Sequence, residues 1–255
     1  MIDGKRVLII IPAWNEAESI ADVVQEVRSA LPVDVLVIDD GSTDATAGRA
    51  TAAGAQVLRL PYNLGVGGAM RLGYRYARDH GYDVALQVDA DGQHDPRFVP
   101  ALVAELDHAD LVIGARFAGV GDYTVRGPRR YAMLLLAAVL SRIAGTKLTD
   151  TTSGFRAANR RVIEHFARAY PVEYLGDTVE TLVHVSRIGL RVVQLPVAMR
   201  PRMAGTPSQS MGKATFYLAR AMMVLGLALV RRYTVVAERG VPAPTALETP
   251  ASHTP

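Results

Sequence analysis

Val84-Ala-Leu-Gln-Val-Asp-Ala-Asp-Gly-Gln-His-Asp-Pro96 is the stretch that decides how this chain of 255 residues folds. Its apolar first half predicts a short buried strand over residues 84–88, and its polar second half places Asp89 and Asp91 just beyond that strand. Two carboxylates at this spacing can converge on one Mg²⁺ or Mn²⁺, which then keeps coordination positions free for phosphate oxygens. The alternative for the same residues is a turn made by aspartate and glycine without a ligand.

Two further polar clusters follow predicted strands. Asp39 and Asp40 come directly after residues 33–38, and Pro12-Ala-Trp-Asn-Glu16 comes directly after residues 7–11. In open α/β sheets, ligands bind beyond the carboxyl ends of the strands. We therefore expect all three clusters to face one crevice.

The first half of the chain alternates strand and helix patterns. This rhythm predicts βαβ units, and so a Rossmann-like, mostly parallel α/β sheet flanked by helices. Strands are predicted at residues 7–11, 33–38, 56–60, 84–88 and 111–113, with helices at residues 17–30, 44–53, 67–79 and 96–106. The second half is less regular: it predicts helices at residues 129–143 and 176–188, a polar turn at residues 150–156 and a strand at residues 191–195.

Composition excludes several classes of protein. Hydrophobic residues make up 49% of the chain, which is enough for a full core and excludes global disorder. The absence of cysteine excludes disulfides and zinc–thiolate sites. A net charge of only +3 argues against a general nucleic-acid binder.

Two apolar segments, residues 131–140 and 214–230, are shorter than the roughly 20 residues that a spanning helix needs. Arginines border both, so each can either cover the core or lie on a membrane surface. We expect a main α/β domain at residues 1–213, an apolar or amphipathic C-terminal helix at residues 214–239, and a disordered tail at residues 240–255, which contains four prolines.

Four motifs in combination resemble the family 2 glycosyltransferases of the GT-A fold. A fifth motif, together with the apolar carboxyl end, makes the chain similar to the branch of dolichyl- and polyprenyl-phosphate mannose synthases within that family. The matching stretches span roughly residues 7–210 and are Ile11-Pro-Ala-Trp-Asn-Glu16, Val37-Ile-Asp-Asp-Gly-Ser-Thr-Asp44, Asn63-Leu-Gly-Val-Gly67, Gln87-Val-Asp-Ala-Asp-Gly-Gln93 and Thr152-Ser-Gly-Phe-Arg156.

The resemblance implies a role for each matching residue. The implied nucleotide and phosphate contacts are Pro12, Ala13, Asn15, Glu16, Asp39, Asp40, Asn63, Gly65 and Arg156. The implied ligands of Mg²⁺ or Mn²⁺ are Asp89, Asp91 and Gln93. Apart from the resemblance, His94 directly follows Gln93 and could approach the cation. Arg116 and Arg130 stand where the lipid-phosphate synthases hold the acceptor phosphate.

The acceptor decides whether a general base is needed. An alcohol must lose a proton, whereas a phosphate monoester is already anionic and needs cationic positioning groups instead. If the acceptor is an alcohol, Asp177 is the expected base, with Glu180 three residues further along the same helical face. Both residues can equally be surface charges that the amino end of a helix favours.

The implied activity is inverting transfer of a sugar from a nucleotide-diphosphate sugar, either GDP-mannose or a UDP-sugar, to a polyprenyl phosphate. The expected place is the cytoplasmic face of the cell membrane, with peripheral association and a small membrane protein as a further partner. Two alternatives remain open: transfer to a sugar hydroxyl in polysaccharide or glycolipid synthesis, and a non-catalytic subunit that binds nucleotide sugars.

Overall fold

The computed structural model describes residues 1–115, 128–171, 177–202 and 226, and for residues 128–133 and 177 it describes the backbone only. The strands are β1 (Val7–Ala13), β2 (Asp34–Asp39), β3 (Gln56–Arg59), β4 (Val84–Gln87), β5 (Leu111–Ala115), β6 (Arg156–Asn159) and β7 (Val192–Pro196). The helices are α1 (Ile20–Ala30), α2 (Thr46–Ala52), α3 (Gly65–Asp79), α4 (Val99–Glu105), α5 (Pro128–Ala144), α6 (Arg160–Ala169) and α7 (Asp177–Arg187). A short 3₁₀ helix, Pro96–Phe98, leads into α4.

The strands form one seven-stranded sheet in the order β3-β2-β1-β4-β6-β5-β7. All neighbouring pairs are parallel except those of β6, which runs antiparallel to both β4 and β5. The prediction of a mostly parallel sheet flanked by helices is confirmed. The order reverses beside β1, which is the place where an open α/β sheet opens its ligand crevice.

Alternating residues of the strands feed two separate cores, because successive side chains of a strand point to opposite faces. Leu8 and Ile10 of β1 pack on one face with helices α3, α5, α6 and α7. Ile9 and Ile11 pack on the other face with helices α1, α2 and α4. Since both faces of the central strands are covered, their sequences are continuously apolar and leave polar residues only at the strand ends.

Strand β6 and helix α6 were not predicted. The polar stretch at residues 150–156 does make a turn, but Arg156 already begins a central strand and pairs with Gln87 on one side and Ile113 on the other. Helix α6 then begins at once, with the Asn159 side chain accepting a hydrogen bond from the Val162 amide. This antiparallel strand brings the Thr-Ser-Gly-Phe turn to the carboxyl end of β4.

Helix α5 packs on the core through Leu136 and Leu140. This is the first of the two alternatives for the segment, in which it covers the core. In the described part of the chain, no helix is both long and apolar enough to cross a membrane. The predicted helix at residues 214–239 and the predicted tail at residues 240–255 lie outside the described residues, so both stay predictions, as does the boundary at residue 213.

Candidate active site

Hydrogen bonds join the loops after β1 and β2. The Asn15 amide donates to Ser42 Oγ, and Asn15 Oδ1 accepts from the Thr43 amide, both at 2.9 Å. Asn15 adopts a positive φ of 53°, a conformation that asparagine tolerates better than most residues. Because its side chain serves this link, Asn15 shapes the crevice from within, and its predicted contact with the nucleotide stays a prediction.

The two acidic residues after β2 also organise backbone. Asp39 is buried, where Oδ1 accepts from the Ser42 amide and Oδ2 from Arg59 Nε at 2.9 Å. The carboxylate of Asp40 accepts from the amides of Leu64 and Gly65, at 2.7 and 2.8 Å. The loop that carries Asn63 and Gly65 is therefore held against the end of β2, and nucleotide contacts of these four residues remain predictions.

Burial raises the pKa of Asp40, although the two amide hydrogen bonds partly oppose that effect. A close backbone approach strengthens the same junction. Gly41 has a φ of 72°, and a Cβ on it would lie 2.7 Å from the carbonyl carbon of Tyr62. The loops after β2 and β3 thus touch with no room for a side chain between them.

Glu16 lies at the same edge as Asp91. Its amide donates to Thr46 Oγ1, and its Oε2 accepts from Ser19 Oγ at 3.0 Å. Burial is the main reason that the pKa of Glu16 is raised, and the nearby negative charge of Asp91 adds to that effect. Pro12 and Ala13 lie at the end of β1, where the Ala13 carbonyl accepts from the Asp40 amide.

The loop after β4 carries the predicted metal ligands. The Asp89 side chain is 38% exposed and the Asp91 side chain only 6% exposed. Asp91 Oδ1 accepts from the Gln93 amide at 3.0 Å, which makes a tight turn around Gly92. The Gln93 side-chain nitrogen lies 3.5 Å from the Arg200 carbonyl, so this amide group directs its oxygen away from the segment that contains Arg200.

That segment, residues 197–202, crosses the loop after β4. We call the segment the strap and the loop the metal-ligand loop. The Arg200 amide donates to the Gln93 carbonyl at 3.0 Å, and Met199 forms an isolated bridge with His94. Two residues further on, Arg202 reaches Asp91 Oδ2 at 3.0 Å and Glu16 Oε1 at 3.8 Å. A guanidinium group therefore lies between the loops after β1 and β4. Neither Arg200 nor Arg202 was predicted from the sequence.

The donors present suit a hard divalent cation. Asp89, Asp91 and Gln93 would offer two carboxylates and one amide oxygen, and Mg²⁺ commonly takes one or two protein carboxylates and completes its shell with water and phosphate. Among the described residues, no cluster of three or more histidine, aspartate or glutamate side chains has metal-binding geometry. The described part of this loop therefore does not surround a cation with protein ligands alone. The contact of the Arg202 guanidinium with Asp91 shows that a positive charge fits beside this carboxylate.

Arg156 is engaged in hydrogen bonds within the protein. Its side chain is buried, and its guanidinium donates to the carbonyls of Ser153, Thr178 and Thr151 and to Thr181 Oγ1. These bonds join the turn before β6 to helix α7, so Arg156 has a structural role, and its predicted phosphate contact stays a prediction. In the sequence, an arginine after Gly-Phe looked like a surface anion ligand. Only its central position between β4 and β5 reveals its burial.

Three catalytic candidates have side chains that lie outside the described part of the structure. Arg116 lies outside the described residues, directly after β5. Arg130 lies in the first turns of α5, and Asp177 is the first residue of α7, but the side chains of both are outside the described part. The structure does add two exposed aromatic residues at the same sheet edge, Trp14 and Tyr62. Their position in the loops after β1 and β3 was the available signal.

Comparison with known proteins agrees with this geometry. Residues 8–166 match the glycosyl transferase family 2. The chain is 37% identical to the undecaprenyl-phosphate mannosyltransferase of Micrococcus luteus over 81% of its own length and 88% of that protein. It is 31% identical to the polyprenol monophosphomannose synthase of Mycolicibacterium smegmatis, over 81% and 82% of the two chains.

A solved structure shares the fold. The glucosyl-3-phosphoglycerate synthase of Mycobacterium tuberculosis, in complex with Mn²⁺, UDP and glucosyl-3-phosphoglycerate, superposes with a TM-score of 0.67 at 25% identity. The match covers 88% of this chain and 80% of the other. The family match, the relatives and the shared GT-A architecture give one conclusion: this chain is a glycosyltransferase that belongs to family 2.

Proposed function

We propose that this chain is an inverting, divalent-metal-dependent hexosyltransferase that moves a sugar from a nucleotide-diphosphate sugar to a polyprenyl phosphate at the cytoplasmic face of the cell membrane. The observation that carries the proposal is the similarity, over most of both chains, to proteins named as undecaprenyl-phosphate and polyprenol mannosyltransferases. Mannose is accordingly the first sugar to test. UDP is a candidate carrier because a structural neighbour is known in complex with UDP, and GDP is a candidate because the resemblance to mannose synthases implies GDP-mannose.

Electrostatics of the site supports transfer chemistry. Departure of the nucleoside diphosphate builds negative charge, which Mg²⁺ or Mn²⁺ would stabilise when bound by Asp89, Asp91 and Gln93. The protein contributes orientation: the turn at Gly92 fixes Asp91, and the strap holds Gln93 from the opposite side. Attack by the acceptor from the face opposite the leaving group inverts the anomeric carbon.

A phosphate acceptor also fits the charged groups that we propose to bind it, which are two arginines. It needs no deprotonation, so Arg116 and Arg130 are the expected positioning groups, and no general base is required. Asp177 is proposed as the base only if the acceptor is a hydroxyl group. A membrane surface and a small membrane protein are the proposed macromolecular partners, and nucleic acid is not.

The experiment presents purified protein with labelled GDP-mannose, UDP-glucose and UDP-N-acetylglucosamine, each with Mn²⁺, and with either undecaprenyl phosphate or undecaprenol. Acid-labile radioactive lipid formed only from undecaprenyl phosphate supports the proposal. Product from the alcohol, or from a soluble oligosaccharide instead, supports transfer to a hydroxyl group. Asp91→Asn is the matched negative control, because it keeps the size of the side chain and removes its charge.

Donor binding separates catalysis from simple recognition. A thermal-shift panel of the same nucleotide sugars, with and without Mn²⁺, identifies the nucleotide base of the donor. A ligand at about 100 times its dissociation constant stabilises a protein by about 2.7 kcal/mol. A donor that binds yet yields no product with any acceptor would favour the alternative of a nucleotide-sugar-binding subunit.

A further inference from the structure

Asp89 is surrounded by polar groups that the catalytic proposal does not use. Its carboxylate is more exposed than that of Asp91, so without other contacts it could adopt several orientations. Three neighbours limit that freedom: the side chains of Gln87 and His94, and the backbone of Gly154.

Gln87 is the last residue of β4, and it is almost completely buried. Its side-chain nitrogen donates to Asp89 Oδ1 at 2.9 Å. A buried amide on a central strand has few conformations available, so this bond fixes which oxygen faces the sheet. The other oxygen, Oδ2, lies 3.6 Å from Nε2 of His94.

His94 fixes the same residue from the other side. The Asp89 amide donates to His94 Nδ1 at 3.0 Å, so the proton of the neutral imidazole lies on Nε2, 3.6 Å from Asp89 Oδ2. The ring is buried and stacks on Phe155, with centroids 4.7 Å apart and planes 17° apart. His94 was predicted to approach the cation, but its position makes it a neighbour of the carboxylate that would bind the cation.

Gly154 closes the third side. A Cβ at this position would lie 2.7 Å from the Gln87 side-chain nitrogen and 3.1 Å from Asp89 Oδ1. Only glycine therefore allows the turn before β6 to approach the carboxylate this closely. Arg156 holds that turn in place through its bonds to the carbonyls of Thr151 and Ser153.

We propose that Gln87, His94 and Gly154 form a carboxylate socket that fixes Asp89 in one orientation for the divalent cation, and that Gln87 and His94 are positioning residues. The inference rests on the proposed metal-dependent function and deepens it. It assigns the Thr-Ser-Gly-Phe-Arg turn to the support of a metal ligand, and Arg156 to the support of that turn. Groups that orient metal ligands typically contribute about 10- to 100-fold to metal affinity.

The test measures Mn²⁺ binding by electron paramagnetic resonance, with and without UDP or GDP, and needs no acceptor. Gln87→Leu removes the hydrogen bond to Asp89 and keeps a side chain of similar size. We expect its Mn²⁺ affinity to fall about tenfold or more. Gln194→Leu is the matched control, because Gln194 is also a strand residue but its side chain binds the backbone of Thr149 and Asp150. Its Mn²⁺ affinity should stay within about twofold of the wild type.

Gly154→Ala tests the socket without removing a polar group. The new methyl group would push against Gln87 and Asp89, so Mn²⁺ affinity should fall in the same direction as in Gln87→Leu. Gly48→Ala is its control, because a Cβ there meets nothing within 4 Å. His94→Phe retains the stacking on Phe155 and removes both ring nitrogens, and it should also weaken Mn²⁺ binding.

Unchanged Mn²⁺ affinity in both Gln87→Leu and Gly154→Ala would overturn the socket. Binding of UMP or GMP without metal identifies variants that have lost the fold, and an equal loss of Mn²⁺ affinity in Gln194→Leu would also overturn the proposal. The two proposals can fail separately. A wild-type protein that binds Mn²⁺ but makes no lipid product contradicts the proposed function alone, whereas active Gln87→Leu with unchanged affinity contradicts the socket alone.

Discussion

Arg202 and a divalent cation are expected to compete for Asp91. The guanidinium lies 3.0 Å from Asp91 Oδ2, so a cation that binds this oxygen must displace it. Partly exposed ion pairs contribute up to about 1 kcal/mol, which corresponds to a change in affinity of about fivefold. We therefore predict that Arg202→Gln binds Mn²⁺ a few times more tightly than the wild type when no nucleotide is present, as measured by electron paramagnetic resonance.

The control for this prediction is Arg59→Gln. Arg59 pairs with Asp39 at the same edge of the sheet, so its loss changes the net charge equally without touching Asp91. If both variants bind Mn²⁺ equally tightly, a general electrostatic effect explains the change. Weaker binding in Arg202→Gln would contradict direct competition.

Asp95 should make the protein lose stability in acid. Its hydrogen bonds with Arg97, together with Arg200, lower the pKa of this buried carboxyl from an ordinary 3.8 to about 2. Because the folded state binds the proton less readily, the stabilisation is present above about pH 4 and is lost as the pH falls toward 2. The shift corresponds to roughly 2 kcal/mol at most.

Urea unfolding of the wild type and Asp95→Asn, at several values from about pH 2 to pH 6, tests this sign. The two proteins should differ most above about pH 4 and converge toward pH 2. Asp107→Asn is the control, because Asp107 forms a salt bridge with Lys5 at the surface and should change stability much less. A constant difference between the wild type and Asp95→Asn at every pH would contradict the assignment.

At the scale of elements, the parallel half of the sheet could be predicted because each strand is short, apolar and followed by a helix pattern. Strand β6 could not, since its residues Arg-Ala-Ala-Asn carry neither β-branched side chains nor strict alternation. It is a strand because β4 and β5 flank it on both sides. Helix α6 did carry a usable signal in Asn159 at its start and the apolar residues Val162, Ile163 and Phe166.

The strap is the element whose order depends most on single ion pairs. The Arg200 guanidinium contacts Glu26 of α1 and Asp95 of the metal-ligand loop. We predict that Arg200→Gln increases amide hydrogen exchange in residues 197–202 and 93–95, because the bond from the Arg200 amide to Gln93 opens more often. Mass spectrometry of peptides from these two regions measures the effect.

Arg97→Gln is the matched control for the strap. Arg97 binds the same Asp95 carboxylate and is largely exposed, but it makes no hydrogen bond to the strap. Its exchange in residues 197–202 should match the wild type. Equal exchange in both variants would show that the pairing with Gln93 holds the strap without help from Arg200.

At the scale of the whole molecule, the sequence predicted that the loops after β1, β2 and β4 meet at one edge of the sheet, because parallel strands end together. It could not tell which polar side chains face the crevice and which serve the backbone. Asp39 and Arg156 have the same types of side chain as ligand-binding residues, yet both are buried and bonded within the protein. Conversely, Arg202 is distant in sequence from Asp91 and was not predicted, because nothing local in the chain reveals that the strap returns to the metal-ligand loop.

Helix α5 presents apolar side chains in two directions. Leu136 and Leu140 are buried in the core, while Leu134 and Leu135 are 55% and 52% exposed. Ala138 and Arg142 continue the exposed side at intervals of four residues. An exposed apolar stripe that ends in arginine is typical of helices that lie on anionic membranes. Core packing and membrane contact, which the sequence left as alternatives for this segment, are thus compatible in one helix.

Replacing both Leu134 and Leu135 by serine should therefore weaken binding to vesicles that contain anionic lipid. Burying the exposed half of each leucine contributes about 1 kcal/mol, so the double variant should bind roughly 30-fold more weakly in a sedimentation assay. Transfer to undecaprenyl phosphate in such vesicles should fall with binding, while transfer to a short, water-soluble polyprenyl phosphate should be unchanged. The same protein thus serves as its own control. Equal losses with both acceptors would mean that α5 supports the active site instead of the membrane contact.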